Sequence, residues 1–182
     1  MPLPKVSYSD LEDAFLFANE ETRHSWLDKR TGRVLSYSDE AAVSVEEGDV
    51  DDLPDWMKPE VEAATEVLRA FGELPGQEDT CEDTDGINVE PNRYVSIEQI
   101  PSHEAFQFMA EFIQELPESL ARDTLGSALR DRRPFRRFKN ALGYFPNERE
   151  RWFEYEARRR REYIEEWARD EGFELDFGSD VS

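Results

Sequence analysis

A cluster of five cations in the C-terminal half is the first group of residues that could do chemistry. Its members are Arg132, Arg133, Arg136, Arg137 and Lys139. A helix through them places Phe138 and Leu142 on its other face at core spacing, and it contains no acidic residue after Asp131. Because guanidinium groups bind carboxylates and phosphates, these five residues are the predicted anion-binding or partner-binding site.

A second run of arginines, residues 158–161, is predicted to be structural. On a helix, oppositely charged residues four apart stabilise each other by about 0.2–0.5 kcal/mol. The run has such partners in Glu154, Glu156, Glu162 and Glu165. This pairing predicts a solvated, salt-bridged helix face rather than a binding surface.

The charge of the whole chain is strongly acidic, with a formal net charge of −21. Such a balance is typical of DNA mimics and also of proteins adapted to a salt-rich cytoplasm. Only four of the 22 cations are lysine. A DNA mimic has no reason to prefer arginine, so the scarcity of lysine favours halophilic adaptation. Binding through phosphates alone would weaken steeply in such salt, and base stacking would have to supply the affinity.

Other residue types that could do chemistry are sparse. His24 and His103 are predicted to be surface or capping residues, and Cys81 lies among acids that disfavour its thiolate. The segment 79–92 is spaced partly like an EF-hand loop, but Cys81 and Asn92 stand where Asp and Glu are needed. With no phosphate loop, nucleophile elbow or metal-ligand motif, the sequence predicts no catalytic residue, metal or cofactor.

The location of the protein is predicted from its hydropathy and its first residues. No stretch approaches the roughly 18–20 apolar residues that span a bilayer, and MPLPKVSYSDLEDAF lacks the zones of a signal peptide. We expect a cytoplasmic protein that does not bind membranes.

The elements that must position the cations predict an α+β fold. A helix opens at Ser9, with Glu12 completing a capping box, and a hairpin follows with its turn at 28–32. A third strand at 93–100 gives a small antiparallel sheet. The C-terminal half is predominantly helical, and a last short strand is expected in FELDF.

Helical periodicity also predicts the core and the ends of the last helix. Asn147 with Glu150 should cap this helix, and Gly172 should stop it. The aromatic anchors of the helices are predicted to be Phe106, Phe135, Phe138, Phe153 and Trp167.

The length of the chain suits a single domain over 1–182. Two acidic segments, 46–58 and 72–92, contain little to bury and are predicted to be linkers or mobile loops. Between them a helix is expected at 59–71. Its apolar stripe would contain Val61, Ala64, Leu68 and Phe71.

Three stretches of the sequence carry a family resemblance. They are SYSDLEDAFLFAN with the SWLDKRTGRV hairpin, the FRRFKNAL helix, and the P-x-x-R-x-x-W-F-x-Y run at 146–155. Together they make the chain resemble a bacterial family of the uncharacterised UPF series, number 0158. The resemblance covers most of the chain apart from its acidic middle. It implies a bacterial cytosolic protein and carries over no activity and no catalytic residue.

Three classes of function follow from these observations. The leading hypothesis is a non-enzymatic interaction or regulatory module that presents the arginine-rich helix face to a protein or an anionic ligand. Nucleic-acid binding is the alternative, which exposed aromatic residues beside that face would favour. An enzyme of unknown class is third, and a pocket that gathers His24, Asp28 and arginines would favour it.

Overall fold

The computed structural model of the chain describes residues 2–18, 20–74 and 90–178. The chain forms two compact units: unit 1 is Met1–Gln99 with Trp167–Ser182, and unit 2 is Ile100–Glu166. Seven helices and five strands occur in these described ranges. This confirms the α+β class with a predominantly helical C-terminal half, while the single domain over 1–182 stays a prediction.

Unit 1 contains a three-stranded antiparallel sheet. Its strands, in spatial order, are β3 (Val34–Ser38), β2 (Arg23–Asp28) and β4 (Tyr94–Ser96). Trp26 of β2 lies opposite Leu35 on one side and Ser96 on the other. The predicted hairpin and third strand are confirmed, although β4 is shorter than the predicted 93–100. Ile97 adds one further hydrogen bond to β2, at 2.8 Å.

A two-stranded parallel pairing in unit 1 joins β1 (Lys5–Ser7) to β5 (Glu174–Asp176). The short strand in FELDF is therefore confirmed, whereas β1 is not predicted from the sequence. Gly32, in the turn between β2 and β3, lies against β1. Its φ is +73°, and a Cβ atom there would lie 2.1 Å from the carbonyl oxygen of Lys5. The turn thus needs glycine for its left-handed backbone and for space.

Three helices complete unit 1. They are α1 (Tyr8–Phe17), α2 (Asp39–Glu47) and α3 (Lys58–Phe71). The predicted cap at Ser9 is wrong, because α1 begins one residue earlier and Ser9 lies inside its first turn. Ser7 is the N-cap, and its Oγ accepts the N–H of Asp10 at 3.3 Å. Phe15 of α1 packs edge-on against the half-buried Trp167, with ring centroids 5.4 Å apart, as expected of an anchor.

The second and third helices depart from the sequence predictions in two ways. Ser38 caps α2 and Gly48 ends it in the left-handed conformation, so the first residues of the predicted linker 46–58 are helical. On α3, Val61 and Phe71 of the predicted stripe are only partly buried. The side chains that α3 buries are Ala63, Ala64, Val67, Leu68 and Ala70.

Unit 2 is built from helices. They are α4 (Ser102–Glu115), α5 (Leu120–Leu129), α6 (Pro134–Leu142) and most of α7 (Pro146–Asp170). The predicted cap by Asn147 with Glu150 is wrong, because α7 begins at Pro146 and Asn147 lies within its first turn. Proline suits the first helical position, since it has no N–H to leave without a partner. Gly172, with a φ of +86°, follows the end of α7 as predicted.

Aromatic side chains dominate the core of unit 2. The buried rings are those of Phe108, Phe112, Phe138, Trp152 and Tyr155. Phe138 is fully buried, which confirms it as an anchor, and its ring centroid lies 4.9 Å from that of Trp152. The predicted anchors Phe106, Phe135 and Phe153 are wrong, because 38%, 37% and 56% of their surfaces are exposed. Periodicity predicts a stripe but not its phase, and on α7 the core position belongs to Trp152.

Candidate functional site

The connection between α5 and α6 builds the corner where the cation cluster begins. Arg133 has φ +59° and ψ +57° and is the one residue other than glycine with a positive φ in the described part of the chain. A left-handed backbone costs such a residue about 1–2 kcal/mol. The following Pro134 disfavours the right-handed helical region at Arg133 and starts α6 at its first position. The corner lets α6 pack along α5.

Four of the five predicted cations line one groove between α5 and α6, which has a volume of about 950 Å³. They are Arg132, Arg133, Arg136 and Arg137. Lys139 is exposed but does not line the groove. Arg133 and Arg137 are four residues apart and form one row along the groove. Phe138 faces the core, and Lys139 lies about 100° beyond it around the helix, on the side away from that row.

The charges in the groove are partly balanced by the protein itself. Asp131 accepts the backbone N–H of Arg132 at 2.6 Å and forms an ion pair with the Arg137 guanidinium at 3.0 Å. This pair is not predicted from the sequence, because Asp131 precedes the helix that carries Arg137. With Asp123, also in the lining, the groove holds four arginines and two aspartates. The side chains of Arg132, Arg133 and Arg136 have no hydrogen-bond or ion-pair partner among the residues that the structure describes.

Uncharged side chains complete the lining of the groove. Tyr144, which directly follows Gly143 after α6, is 81% exposed, and Asn140 lies between it and Arg136. Ser127 and Thr124 contribute hydroxyl groups from α5. None of these residues is predicted from the sequence. Asn140 does carry a signal, since it follows Arg136 by four residues on one helix face, whereas Tyr144 lies beyond the end of α6 at Leu142.

The second run of arginines packs within unit 2. Arg161 forms the predicted ion pair with Glu165, at 3.0 Å. Arg159 instead reaches across to Glu111 of α4, and its guanidinium carbon lies 4.8 Å from the centroid of the Phe108 ring. A hydrogen bond from Gln107 and the charge of Arg159 hold the pKa of Glu111 below its usual range. This part of the run contributes to structure, as predicted.

The residues named for an enzyme do not come together. His24 bonds Asp39 through Nε2 at 2.6 Å and lines a smaller groove of about 330 Å³ with Arg23 and Glu98. Asp28, at the other end of β2, is fully buried and does not line that groove. Its burial raises its pKa, but hydrogen bonds from Arg93, Thr31 and the Arg30 backbone outweigh burial and lower the pKa to about 2.

Two further sequence predictions concern metals and membranes. Within residues 2–18, 20–74 and 90–178, no group of three or more His, Cys, Asp or Glu side chains is placed to hold a metal ion. Cys81 and most of the segment 79–92 lie outside the described residues. Among the described helices, none combines the length and the apolar character needed to span a membrane.

Comparisons with known proteins agree with the sequence resemblance. A sequence model of the uncharacterised protein family UPF0158 matches residues 73–182. A curated UPF0158 protein of Pseudomonas aeruginosa is 32% identical over 84 residues, which make up 46% of this chain and 55% of that relative. The match thus spans about half the length of the relative. No solved structure was found to match.

The range matched by the family model contains only some of the stretches that carry the resemblance. The FRRFKNAL helix and the run at 146–155 lie inside residues 73–182, together with the whole arginine groove. The N-terminal helix and the hairpin lie outside it. Because the family model matches residues 73–182, which are more than half of the sequence, this chain belongs to the uncharacterised protein family UPF0158.

Proposed function

We propose that this protein is a non-enzymatic interaction module whose groove between α5 and α6 binds an anionic partner. The observation that supports this most is the set of three arginines, Arg132, Arg133 and Arg136, whose guanidinium groups line one groove without a described partner. A guanidinium group offers five N–H donors in a planar fork that suits carboxylates and phosphates.

The groove cations that have no described partner lie in a strongly acidic chain. The sequence holds 43 acidic residues against 22 Lys and Arg, so carboxylates are abundant as local partners. Arg137 has one in Asp131 and Arg159 has one in Glu111. Arg132 and Arg136, in contrast, place two positive charges in the same groove. Like charges held together without a partner weaken the fold, and binding of an anion would offset that cost.

The acidic surface bears on where the module works. The chain has many carboxylates, which hold water strongly, and few lysines. This composition supports our proposal that the protein works in a salt-rich cytoplasm. There the Debye length falls to about 3 Å at 1 M salt. Contacts at a distance then contribute little, and the partner must be held by direct bonds within the groove.

The test compares two double variants that remove the same charge. Arg132→Gln with Arg136→Gln takes two cations from the groove, whereas Lys139→Gln with Arg149→Gln takes two exposed cations outside it. Calorimetry with inorganic polyphosphate and with polyglutamate, at about 0.15 M KCl, would measure binding to each variant. Hydrogen bonds to charged groups contribute about 1.5–3 kcal/mol each, so the groove variant should bind at least about tenfold more weakly.

The control variant distinguishes a groove-specific effect from a general effect of net charge. It should bind like the unaltered protein, and circular dichroism should show the same helical signal in both variants. Equal weakening in both variants would mean a general effect of net charge and would contradict a specific groove. No binding of either probe to the unaltered protein would also contradict the proposal.

A further inference from the structure

We infer that the partner held in the arginine groove is a single strand of nucleic acid, with phosphates on the arginines and a base stacked on Tyr144. This inference rests on the proposed function, because it assumes that the groove binds an anion. It goes further by naming the class of partner and the residue that distinguishes it.

Tyr144 carries the inference by its position. An isolated exposed aromatic side chain is common on protein surfaces, but Tyr144 lines the same groove as Arg132 and Arg136 while 81% of its surface is exposed. Its backbone N–H bonds the Ala141 carbonyl at 3.0 Å, so the main chain is held while the ring is free to meet a ligand. Tyrosine rings beside basic grooves are how single strands are bound, since every base has a face that stacks.

The order of the lining side chains suits a strand that carries bases. Arg136 and Asn140 are four residues apart on α6, which is about 6 Å along the helix axis. Tyr144 follows just after the helix ends at Leu142, so the lining presents a cation, an amide and a ring in this order along the chain. Asn140 offers both an amide donor and a carbonyl acceptor, which can meet the edge of an unpaired base.

An acidic peptide is the competing partner, and it explains less of the groove. Carboxylates would use the arginines equally well, but they give no role to an exposed ring or to the Asn140 amide. The net charge of −21 repels either polyanion. Salt screens this repulsion and the arginine contacts alike, whereas stacking on Tyr144 persists. A strand with bases is therefore the partner that this groove can hold in concentrated salt.

The experiment separates bases from phosphates. Fluorescence anisotropy would compare an oligouridylate of about 12 nucleotides, within the usual site sizes, with a strand of equal length that has the sugar–phosphate backbone but no bases. Polyglutamate serves as the carboxylate competitor. The measurements are made at about 0.15 M and about 2 M KCl. The proteins are the unaltered chain, Tyr144→Ala, Tyr144→Trp and the control Phe153→Ala, which removes another exposed ring, 56% exposed, outside the groove.

The expected result is a preference for the strand that has bases. It should bind about 5- to 150-fold more tightly than the strand without them, from the usual contribution of one stacked base. Tyr144→Ala should remove that preference, while Tyr144→Trp and Phe153→Ala should keep it. The slope of log affinity against log salt should be no steeper than about −2.8, the value for four neutralised phosphates on a single strand.

Other results would overturn the inference in distinguishable ways. Equal binding of both strands, or loss of preference in Phe153→Ala as well, would exclude stacking on Tyr144 and leave the anion-binding groove intact. Binding of polyglutamate but of neither strand would make the partner an acidic protein, and the proposed function would stand. Failure of all three probes would contradict the inference and the proposed function together.

Discussion

Arg93 and Asp28 form a two-point ion pair at the end of the central strand of the sheet in unit 1. The Nε and Nη2 groups of Arg93 donate to the two carboxylate oxygens of Asp28 at 3.0 and 2.7 Å. Asp28 ends β2 and is fully buried. It also accepts hydrogen bonds from the Thr31 hydroxyl and the Arg30 N–H, at 2.7 and 2.9 Å. One carboxylate thus joins the hairpin turn to the residue that precedes β4.

Replacement of Asp28 should therefore destabilise the protein strongly. Asp28→Asn removes the buried carboxylate from Arg93, which keeps only its ion pairs with Glu66 at 3.2 Å and Glu90 at 3.6 Å among the described residues. Removing one member of a buried pair costs about 3–5 kcal/mol. Because Arg93 is 20% exposed, we expect a value near the lower end. Urea unfolding followed by circular dichroism would measure it.

The matched control for this substitution is Asp39→Asn in the same unit. Asp39 also bonds a side chain, that of His24, but its own side chain is 55% exposed. An exposed pair contributes about 1 kcal/mol or less, so the loss of stability should be small. Similar losses in the two variants would show that burial of Asp28 does not decide its contribution.

Acid should weaken unit 1 through the same carboxylate. The pKa of Asp28 falls from its ordinary 3.8 to about 2 in the folded chain, so the folded state favours the ionised form. The resulting stability is fully present above about pH 4 and is lost as the pH falls through about 2. It amounts to about 2 kcal/mol.

The pH dependence is measured as a difference between two proteins. Urea unfolding of the unaltered chain and of Asp28→Asn at about pH 5 and about pH 2 isolates this group from the other carboxylates. The gap in unfolding free energy should shrink by about 2 kcal/mol at the lower pH. A gap that stays constant would mean that the pKa of Asp28 does not differ between the folded and unfolded chain.

Substitutions at Gly32 and Gly172 test how closely the hairpin turn approaches β1, with Gly172 as the control. Both have a positive φ, but an added Cβ meets the Lys5 carbonyl oxygen only at Gly32, and nothing within 4 Å at Gly172. Gly172→Ala should cost about 1 kcal/mol from the backbone alone. Gly32→Ala should cost about 1–3 kcal/mol more because the site is overpacked. Equal losses in thermal unfolding would show that β1 yields to the new methyl group.

Trp152 and Phe153 test which phase of α7 faces the core. Trp152 is 5% exposed and Phe153 is 56% exposed. Trp152→Ala should cost about 3–5 kcal/mol by leaving a cavity, whereas Phe153→Ala should cost less than about 1 kcal/mol. Urea unfolding of the two variants gives both values. A larger loss for Phe153→Ala would place the other face of the helix against the core.

The elements that were predicted correctly are those whose signals are local. The hairpin has two apolar arms around a turn with Gly32, and α6 has Pro134 at its start. The strand β1 has three residues and pairs with β5 at the far end of the sequence, so nothing nearby marks it. The helix α2 did carry a local signal, since Ser38 precedes two acidic residues and Gly48 follows the helix.

The candidate site was predicted in part for the same reason. Arg132 and Arg136 stand out in the sequence because their own helix offers no acid after Asp131. The groove, however, needs a second wall from α5, and that depends on how the chain turns at Arg133. Composition does not distinguish the faces of a helix, so the sequence predicts Lys139 with the other cations although it does not line the groove. Tyr144 was missed because it lies beyond the end of α6.

The parallel pairing of β1 with β5 affects the order in which the chain can fold as it leaves the ribosome. Unit 1 lacks the partner of Lys5–Ser7 until Glu174–Asp176 has been translated, whereas every residue of Ile100–Glu166 is made earlier. We expect unit 2 to become resistant to protease first in stalled nascent chains of increasing length. Protection of residues 2–18 before β5 emerges would contradict this order. The helices that line the arginine groove would thus be translated in full before β1 can pair with β5 in unit 1.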